Sequence, residues 1–209
     1  MGKEVKKYAA LLFALLFASG CVGSFAYVPP DINNACSILV NKRGWYGDVL
    51  RTEKKWGAPI PVTLAFIRQE SSFLKGAKHP RTKVLWIIPW KRVSSASGYS
   101  QAVDATWEQY LRETKKGGFL TRRSDFKDSA DFIGWYNNKS AKLLGIRKDD
   151  AYNLYLAYHE GWGGYRKGSY KNKQWLIKVA RKVEKMEKTY EKQLARCRGK
   201  LKRKRFLIF

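Results

Sequence analysis

The sequence predicts a single, mainly α-helical domain over about residues 32–198 of the 209. Three observations carry that reading. Apolar residues recur at steps of three and four through most of the span, the period of a helix with one buried face. The runs are separated by Gly and Pro positions, which interrupt helices. Hydrophobic residues make up 44% of the chain, enough for a packed core, which excludes a wholly disordered protein.

The elements follow in order. Ile32, Cys36 and Leu39, then Trp45 and Val49, keep helical spacing, with Gly44 and Gly47 as weak points. The run Gly57-Ala58-Pro59-Ile60-Pro61 is a break. Val62–Phe73 reads as a helix, with Leu64, Ile67 and Ser71 on one side and Val62, Phe66 and Phe73 on another. Leu74–Ser97 is irregular, and the apolar run Val84–Ile88 inside it reads as a strand or as a hydrophobic loop lying on the domain. Ala102–Thr114 is a helix ended by Gly117-Gly118. Asp125–Leu144 is a helix stopped by Gly145, and Asp149–Tyr158 is another, with Ala151, Leu154, Tyr155 and Tyr158 aligned. Gly161–Gly168 is glycine-rich and is expected to turn. The last helix is the most regular: Leu176, Val179, Val183, Met186, Tyr190, Leu194 and Cys197 step by three or four. Residues 199–209 follow as a basic tail with an apolar end.

The net charge is +25, from 42 Lys and Arg against 17 Asp and Glu, which favours an anionic partner. Two His and three Cys leave little material for a protein-built metal site, so none is expected. No phosphate-binding glycine motif occurs, so no nucleotide cofactor is expected. Nucleic acid fits the charge, the 8 Trp and the 12 Tyr. An export signal argues against it, and no helix-turn-helix or zinc spacing supports it.

That signal occupies residues 1–20. Lys3, Lys6 and Lys7 precede the apolar run Tyr8–Phe17, and Ala18-Ser19-Gly20 precede Cys21. The small residues before Cys21 resemble a bacterial lipoprotein box. The resemblance implies cleavage before Cys21, lipid attached to it, and a lipidated tether over residues 21–31. Two other readings stay open: an uncleaved anchor, since no charge falls between Tyr8 and Val28, and cleavage at Ser24-Phe25-Ala26. All three place the domain outside the cytoplasm. The lipoprotein reading makes it periplasmic and lipid-anchored, foremost on the outer membrane. Loss of residues 1–20 leaves a charge of about +23. With Cys21 lipidated, Cys36 and Cys197 form an even pair in an oxidising compartment, and a disulfide between them is expected. Two buried free thiols are the alternative.

The chemistry centres on Glu70. It lies three residues after Ile67 and four after Phe66, so it shares their face near a helix C-terminus. Apolar surroundings and the helix dipole both disfavour its negative charge, and a raised pKa suits a general acid. The competing reading is a solvated residue at the helix edge. Two further stretches bear on the choice: Gly98-Tyr99-Ser100-Gln101-Ala102, and Ala157-Tyr158-His159-Glu160-Gly161-Trp162-Gly163-Gly164-Tyr165. Glycines let a bound polymer approach the backbone, and aromatic faces stack on sugar rings. Each stretch also reads as a turn with packing aromatics.

The Glu70-Ser71 pair ending a helix, then Gly-x-x-Gln at 98–101, then Ala-Tyr-x-x-Gly at 157–161, resembles the SLT-type lytic transglycosylases. Glu53-Lys54-Lys55-Trp56-Gly57-Ala58-Pro59 also resembles their approach to the catalytic glutamate. The resemblance covers about Trp45 to Tyr170. It implies a lysozyme-like helical domain, with the irregular segment lying between the catalytic helix and the Gly-x-x-Gln turn. It implies an enzyme that cuts the MurNAc–GlcNAc bond of peptidoglycan strands, with Glu70 as acid and then base and a 1,6-anhydro product. Ser71, Gly98, Tyr99, Ser100, Gln101, Tyr158, His159, Glu160 and Tyr165 are the implied substrate-binding residues. His159 and Glu160 depart from the common Ala-Tyr-Asn-Ala-Gly. Either His159 replaces the missing amide, or Glu160 is a second carboxylate facing Glu70, as in a hydrolytic muramidase. A non-catalytic wall-binding lipoprotein is the remaining alternative. No cofactor is implied, and the chain is read as a monomer.

Overall fold

The structure, a computed structural model, describes residues 27–42, 44–78, 81–84, 88–92, 94–118 and 120–206. The expected leader and the lipidation position Cys21 lie outside the described residues. Among the described residues are seven α-helices, one 3-10 turn and one β-hairpin. They are α1 (Ala35–Asn41), α2 (Trp45–Trp56), α3 (Ile60–Ser71), β1 (Arg81–Val84), β2 (Ile88–Arg92), α4 (Asp104–Thr114), α5 (Phe126–Leu144), α6 (Ala151–Lys167), a 3-10 turn (Ser169–Asn172) and α7 (Gln174–Phe206).

Local chemistry sets the helix ends. The Asn34 side chain accepts from the Ser37 amide to start α1. Asp125 accepts from the Lys127 and Asp128 amides at the start of α5, and Asp150 from Asn153 at the start of α6. Gly145 ends α5 in the left-handed conformation. α3 ends differently, with two consecutive non-glycine residues at positive φ, Ser72 (50°) and Phe73 (62°). Left-handed backbone is costly for side-chain-bearing residues. Burial of Phe73 and the Ser72 amide bond to the Arg68 carbonyl hold it there.

α5 is the central helix. Ala130, Phe132, Ile133, Trp135 and Tyr136 are all buried on it, and it packs against α2, α3, α4 and α6. Gly134 allows α2 that close: a Cβ there would lie 2.5 Å from Thr52 Cγ2 and 2.7 Å from Trp56 Cδ1. α7 covers α1, α3 and α6. Its stripe of Leu176, Ala180, Val183, Tyr190, Leu194 and Leu201 is buried, each large member contributing about 1.5–3 kcal/mol. Cys36 on α1 and Cys197 on α7 are joined by a disulfide with Cα atoms 6.1 Å apart.

Several expected elements differ. The irregular stretch after α3 contains the antiparallel pair β1–β2, with Val84 opposite Ile88; residues 85–87 of the apolar run lie outside the described residues. The glycine-rich stretch 161–168 turns at its two ends and is helical between them: the backbone leaves helical geometry at Gly161 (φ 72°, ψ 162°), where two helical segments of α6 meet at a kink, and again at Gly168. Trp162 holds the segment on α5 by stacking on Tyr136 at 4.8 Å and donating to Ser140 Oγ at 3.0 Å. The helix does not give way to a tail after residue 198. α7 runs to Phe206, because Leu201, seven positions after Leu194, continues the buried stripe past Gly199. Residues 27–31 of the expected tether are seated on the domain: Pro29 is buried, and Tyr27 meets Trp45 edge-on at 5.5 Å.

The disulfide closes a sequence separation of 161 residues, so its loss frees a large loop in the unfolded chain. Cys36→Ser with Cys197→Ser is expected to lower stability by about 3–5 kcal/mol. Urea unfolding of the double variant beside wild type measures this, and equal midpoints would show that the cross-link contributes nothing.

Candidate active site

Glu70 sits in the last turn of α3, two residues before the left-handed Ser72. The helix around it is apolar: Leu64, Ala65, Phe66, Ile67 and Ser71 are buried. Phe66 meets Tyr155 and Tyr158 of α6 edge-on, at 5.3 and 5.2 Å. Burial pushes the Glu70 carboxyl up to about 7, opposed only by a hydrogen bond from the Tyr155 hydroxyl. The same proximity raises both tyrosines: burial is the larger cause, and the Glu70 charge adds to it. A carboxyl with this affinity carries its proton at neutral pH and can still release it, as an acid–base catalyst requires.

The glycine turn is tied to this carboxyl through Tyr158, whose hydroxyl donates to the Ser100 carbonyl at 2.6 Å. Gly98 has φ +74°, and a Cβ would fall 1.9 Å from the Arg123 carbonyl oxygen, so only glycine fits. Gln101 also has positive φ (49°). Its amide nitrogen donates to the Ala77 and Gly98 carbonyls at 2.9 and 2.8 Å, leaving the side-chain oxygen as an acceptor. The Ser100 hydroxyl is fully buried without a partner among the described residues. An aromatic nest fixes the turn relative to α3. Trp45 stacks on Phe126 at 3.8 Å and on Phe73 at 5.9 Å, and Tyr99 meets Trp45 and Phe126 edge-on.

The structure thus brings together Glu70, the Gly98–Gln101 turn and Tyr158. It sets other expected residues apart. Ser71 is buried and returns its hydroxyl to the Ile67 carbonyl at 3.0 Å, a bond within its own helix. Tyr99 is 4% exposed inside the aromatic nest, where it supports the turn from beneath. Tyr165 donates to Asn153 and stacks on Tyr170, away from the neighbours of Glu70. His159 is exposed and lies edge-on to Trp175 at 5.0 Å.

Glu160 does not act on Glu70. Lys173 binds its two oxygens at 2.8 and 3.0 Å, His159 Nδ1 lies at 3.1 Å, and the Ser169 hydroxyl donates to it. Burial raises its pKa, but these donors outweigh that and hold the group at about 2. Its bonds pin the end of α6 to the turn before α7. The residue that sequence reasoning missed is Tyr155, among the described residues the one side-chain donor that lowers the Glu70 pKa. Its signal was present: a tyrosine in the apolar stripe of a helix carries its hydroxyl into the core, where it needs a partner.

The domain is helical and sets the weakly acidic carboxyl of Glu70 near a glycine turn. The chain belongs to the family of transglycosylase SLT domains, which matches residues 9–197. It is accordingly a peptidoglycan lytic transglycosylase with a lysozyme-like helical fold. No curated protein matches the chain.

Two outcomes follow from the state of Glu70. Below pH 4.5 it is protonated in both folded and unfolded chains; above about 7 the folded chain must bury a carboxylate. Glu70→Gln is therefore expected to raise stability at pH 8 by on the order of 2–3 kcal/mol, discounted for partial exposure, and to change little at pH 4. Denaturant unfolding at both pH values tests this; equal effects at both would contradict a perturbed carboxyl. Tyr155→Phe removes the donor that lowers the pKa, so the alkaline limb of kcat/KM against pH is expected to move upward. An unmoved limb in a folded variant would deny the contact.

Proposed function

We propose that Glu70 is the lone catalytic group and that it serves twice. As an acid, it protonates the glycosidic oxygen between MurNAc and GlcNAc as the bond to C1 breaks. As the resulting carboxylate, it takes the proton from the MurNAc C6 hydroxyl, whose oxygen closes on C1 to give the 1,6-anhydro ring. One bond to C1 breaks and one forms, the proton passes through Glu70, and no water is consumed. The scheme differs from two-carboxylate glycosidases because the nucleophile belongs to the substrate.

The supporting observation is the combination of a pKa near 7 at Glu70 with a second carboxylate, Glu160, committed to Lys173, Ser169 and His159. Hydrolysis would need a carboxylate free to position water, and Glu160 is not free. The backbone of Gly98–Ser100 and the Gln101 oxygen line the sugar site in this reading, and Tyr158 holds that turn at its distance from Glu70. We further propose export by residues 1–20, lipidation of Cys21 and action as a monomer on a periplasmic membrane surface. Peptidoglycan and its surroundings are anionic, so a mature chain of about +23 accumulates there, with salt-sensitive attachment.

Mass spectrometry of fragments released from purified sacculi is the test. Anhydro-ended fragments, about 18 Da lighter than hydrolysis products by the mass of one water, are expected from wild type. Glu70→Gln is expected to lower their release at least about 1000-fold, since it removes both proton transfers. Reducing-end fragments would make the enzyme a hydrolase, and near-normal activity in a folded Glu70→Gln variant would remove Glu70 from the mechanism.

A further inference from the structure

Glu187 of α7 is unlike the other charged residues of this basic protein. It is 7% exposed and has no hydrogen bond or ion pair among the described residues. It borders two adjoining cavities of about 400 and 330 Å³. The charged groups around them come from every neighbouring element. Glu184, Lys188, Glu191 and Arg198 lie on α7; Arg147, Asp149 and Asp150 lie between α5 and α6; Glu53 lies on α2. Two of the cations are engaged, Lys188 with Glu184 at 2.6 Å and Arg198 with Glu53 at 3.5 Å. Arg147 holds Asp149. The balance at Glu187 stays negative: burial first, then Glu191, Asp149 and Glu184, together raise its pKa to about 7 against the opposition of Lys188.

A second observation comes from the opposite wall. Tyr46 of α2 is 6% exposed and lines the same cavity as Glu187, and its hydroxyl is buried behind that lining without a partner among the described residues. Buried polar atoms are ordinarily paired. Glu187, nine-tenths buried and without a partner among the described residues, turns acceptor oxygens to a cavity whose charged lining is mostly carboxylate, where a donor from outside can reach them. Pro59, Ile60 and Leu194 supply an apolar lining beside them. No three carboxylates among the described residues converge as a metal ion would need. An ammonium group on an aliphatic stem fits instead: three N–H donors for the oxygens, and methylenes for the apolar lining.

We infer that this cavity is a binding site for a primary ammonium group on an aliphatic chain, of the kind that uncross-linked peptide stems of peptidoglycan carry. The net charge of the protein repels cations, so an amine is held only where carboxylates are concentrated. The site lies at the N-terminal end of α3, whose C-terminal end carries Glu70. Ten residues separate Ile60 from Glu70, about 15 Å along a helix axis. A glycan strand bound at Glu70 can therefore carry its stem peptide toward Glu187. The inference rests on the family's substrate and not on the role assigned to Glu70.

Calorimetric titration of the full chain with Nα-acetyl-lysine methylamide tests it. Saturable binding is expected, tightening from pH 6 to pH 8 as Glu187 ionises, absent for the Nε-acetylated probe, and weakened at least tenfold in Glu187→Gln. Glu191→Gln, at the rim, is expected to weaken binding about threefold and serves if Glu187→Gln does not fold. On sacculi whose amines are acetylated, wild type is expected to show a raised KM and an unchanged kcat, and Glu187→Gln the same KM on both materials. No saturable amine binding, equal binding by wild type and variants, or saturation by calcium chloride alone would overturn the inference. Anhydro-fragment release from untreated sacculi is read in parallel, so a failure of the reaction assignment is seen separately.

Discussion

The Glu70 carboxyl gives up much of its hydration on folding, and among the described residues Tyr155 is the one side-chain donor that offsets the loss. That imbalance is unfavourable in isolation, because a buried charge without donors is destabilising. It persists because the surrounding contacts leave α3 no alternative path. Phe66, four residues earlier on the same face, is fixed by Tyr155 and Tyr158. Phe73, three residues later, is fixed by Trp45 in left-handed backbone. The carboxyl lies between two anchored aromatics and cannot swing out to water without unseating one of them. The glycine turn depends on the same anchors, since Tyr99 leans on Trp45 and the Ser100 carbonyl is held by Tyr158.

The carboxylates of this chain sort by the donors around them, not by burial alone. Burial raises the pKa of Asp131 on α5, yet Lys116, Tyr110 and Trp56 all donate to it and bring it below its ordinary value. Glu160 follows the same logic with Lys173, Ser169 and His159. Both are ionised struts, one joining α2, α4 and α5, the other joining α6 to the turn before α7. Glu70 and Glu187 have burial with few or no donors, and both rise to about 7. A carboxyl that donors leave unsatisfied is one that a ligand can still influence.

Much of the fold was legible in the sequence. The helical period located α2 to α7 because each buries one stripe against a neighbour, and glycines marked true stops at 57 and 145. The period misled where packing overrode local chemistry. Three glycines between 161 and 164 suggest a turn, and the chain does break at Gly161, but Trp162 docks on α5 and the helix resumes to Lys167. Gly199 suggests an end, but Leu201 finds the core. At the site, Glu70 was legible from its place on an apolar face, and the fit of glycine at position 98 from the motif. For Ser71 and Tyr99 a motif gives order along the chain and not direction: the first hydroxyl returns to its own helix, and the second ring is buried. Tyr155 was overlooked because tyrosine in an apolar stripe reads as bulk, and only the third dimension shows what its hydroxyl meets.

Charge and catalysis occupy different parts of the molecule. Lys178, Lys182, Lys185 and Lys188 are exposed along α7, and Lys200, Lys202 and Arg203 continue that exposed surface past Gly199. Among the described residues no lysine or arginine shifts Glu70; burial is the larger cause and Tyr155 the opposing one, so its acidity follows the aromatic frame. Ions screen the long-range attraction of exposed lysines over about 8–10 Å at physiological strength, while a buried carboxyl feels little of them. Salt therefore acts on how many molecules reside on an anionic polymer, and pH acts on what each molecule does there. That separation lets α7 be basic over most of its outer surface without drawing the proton off Glu70.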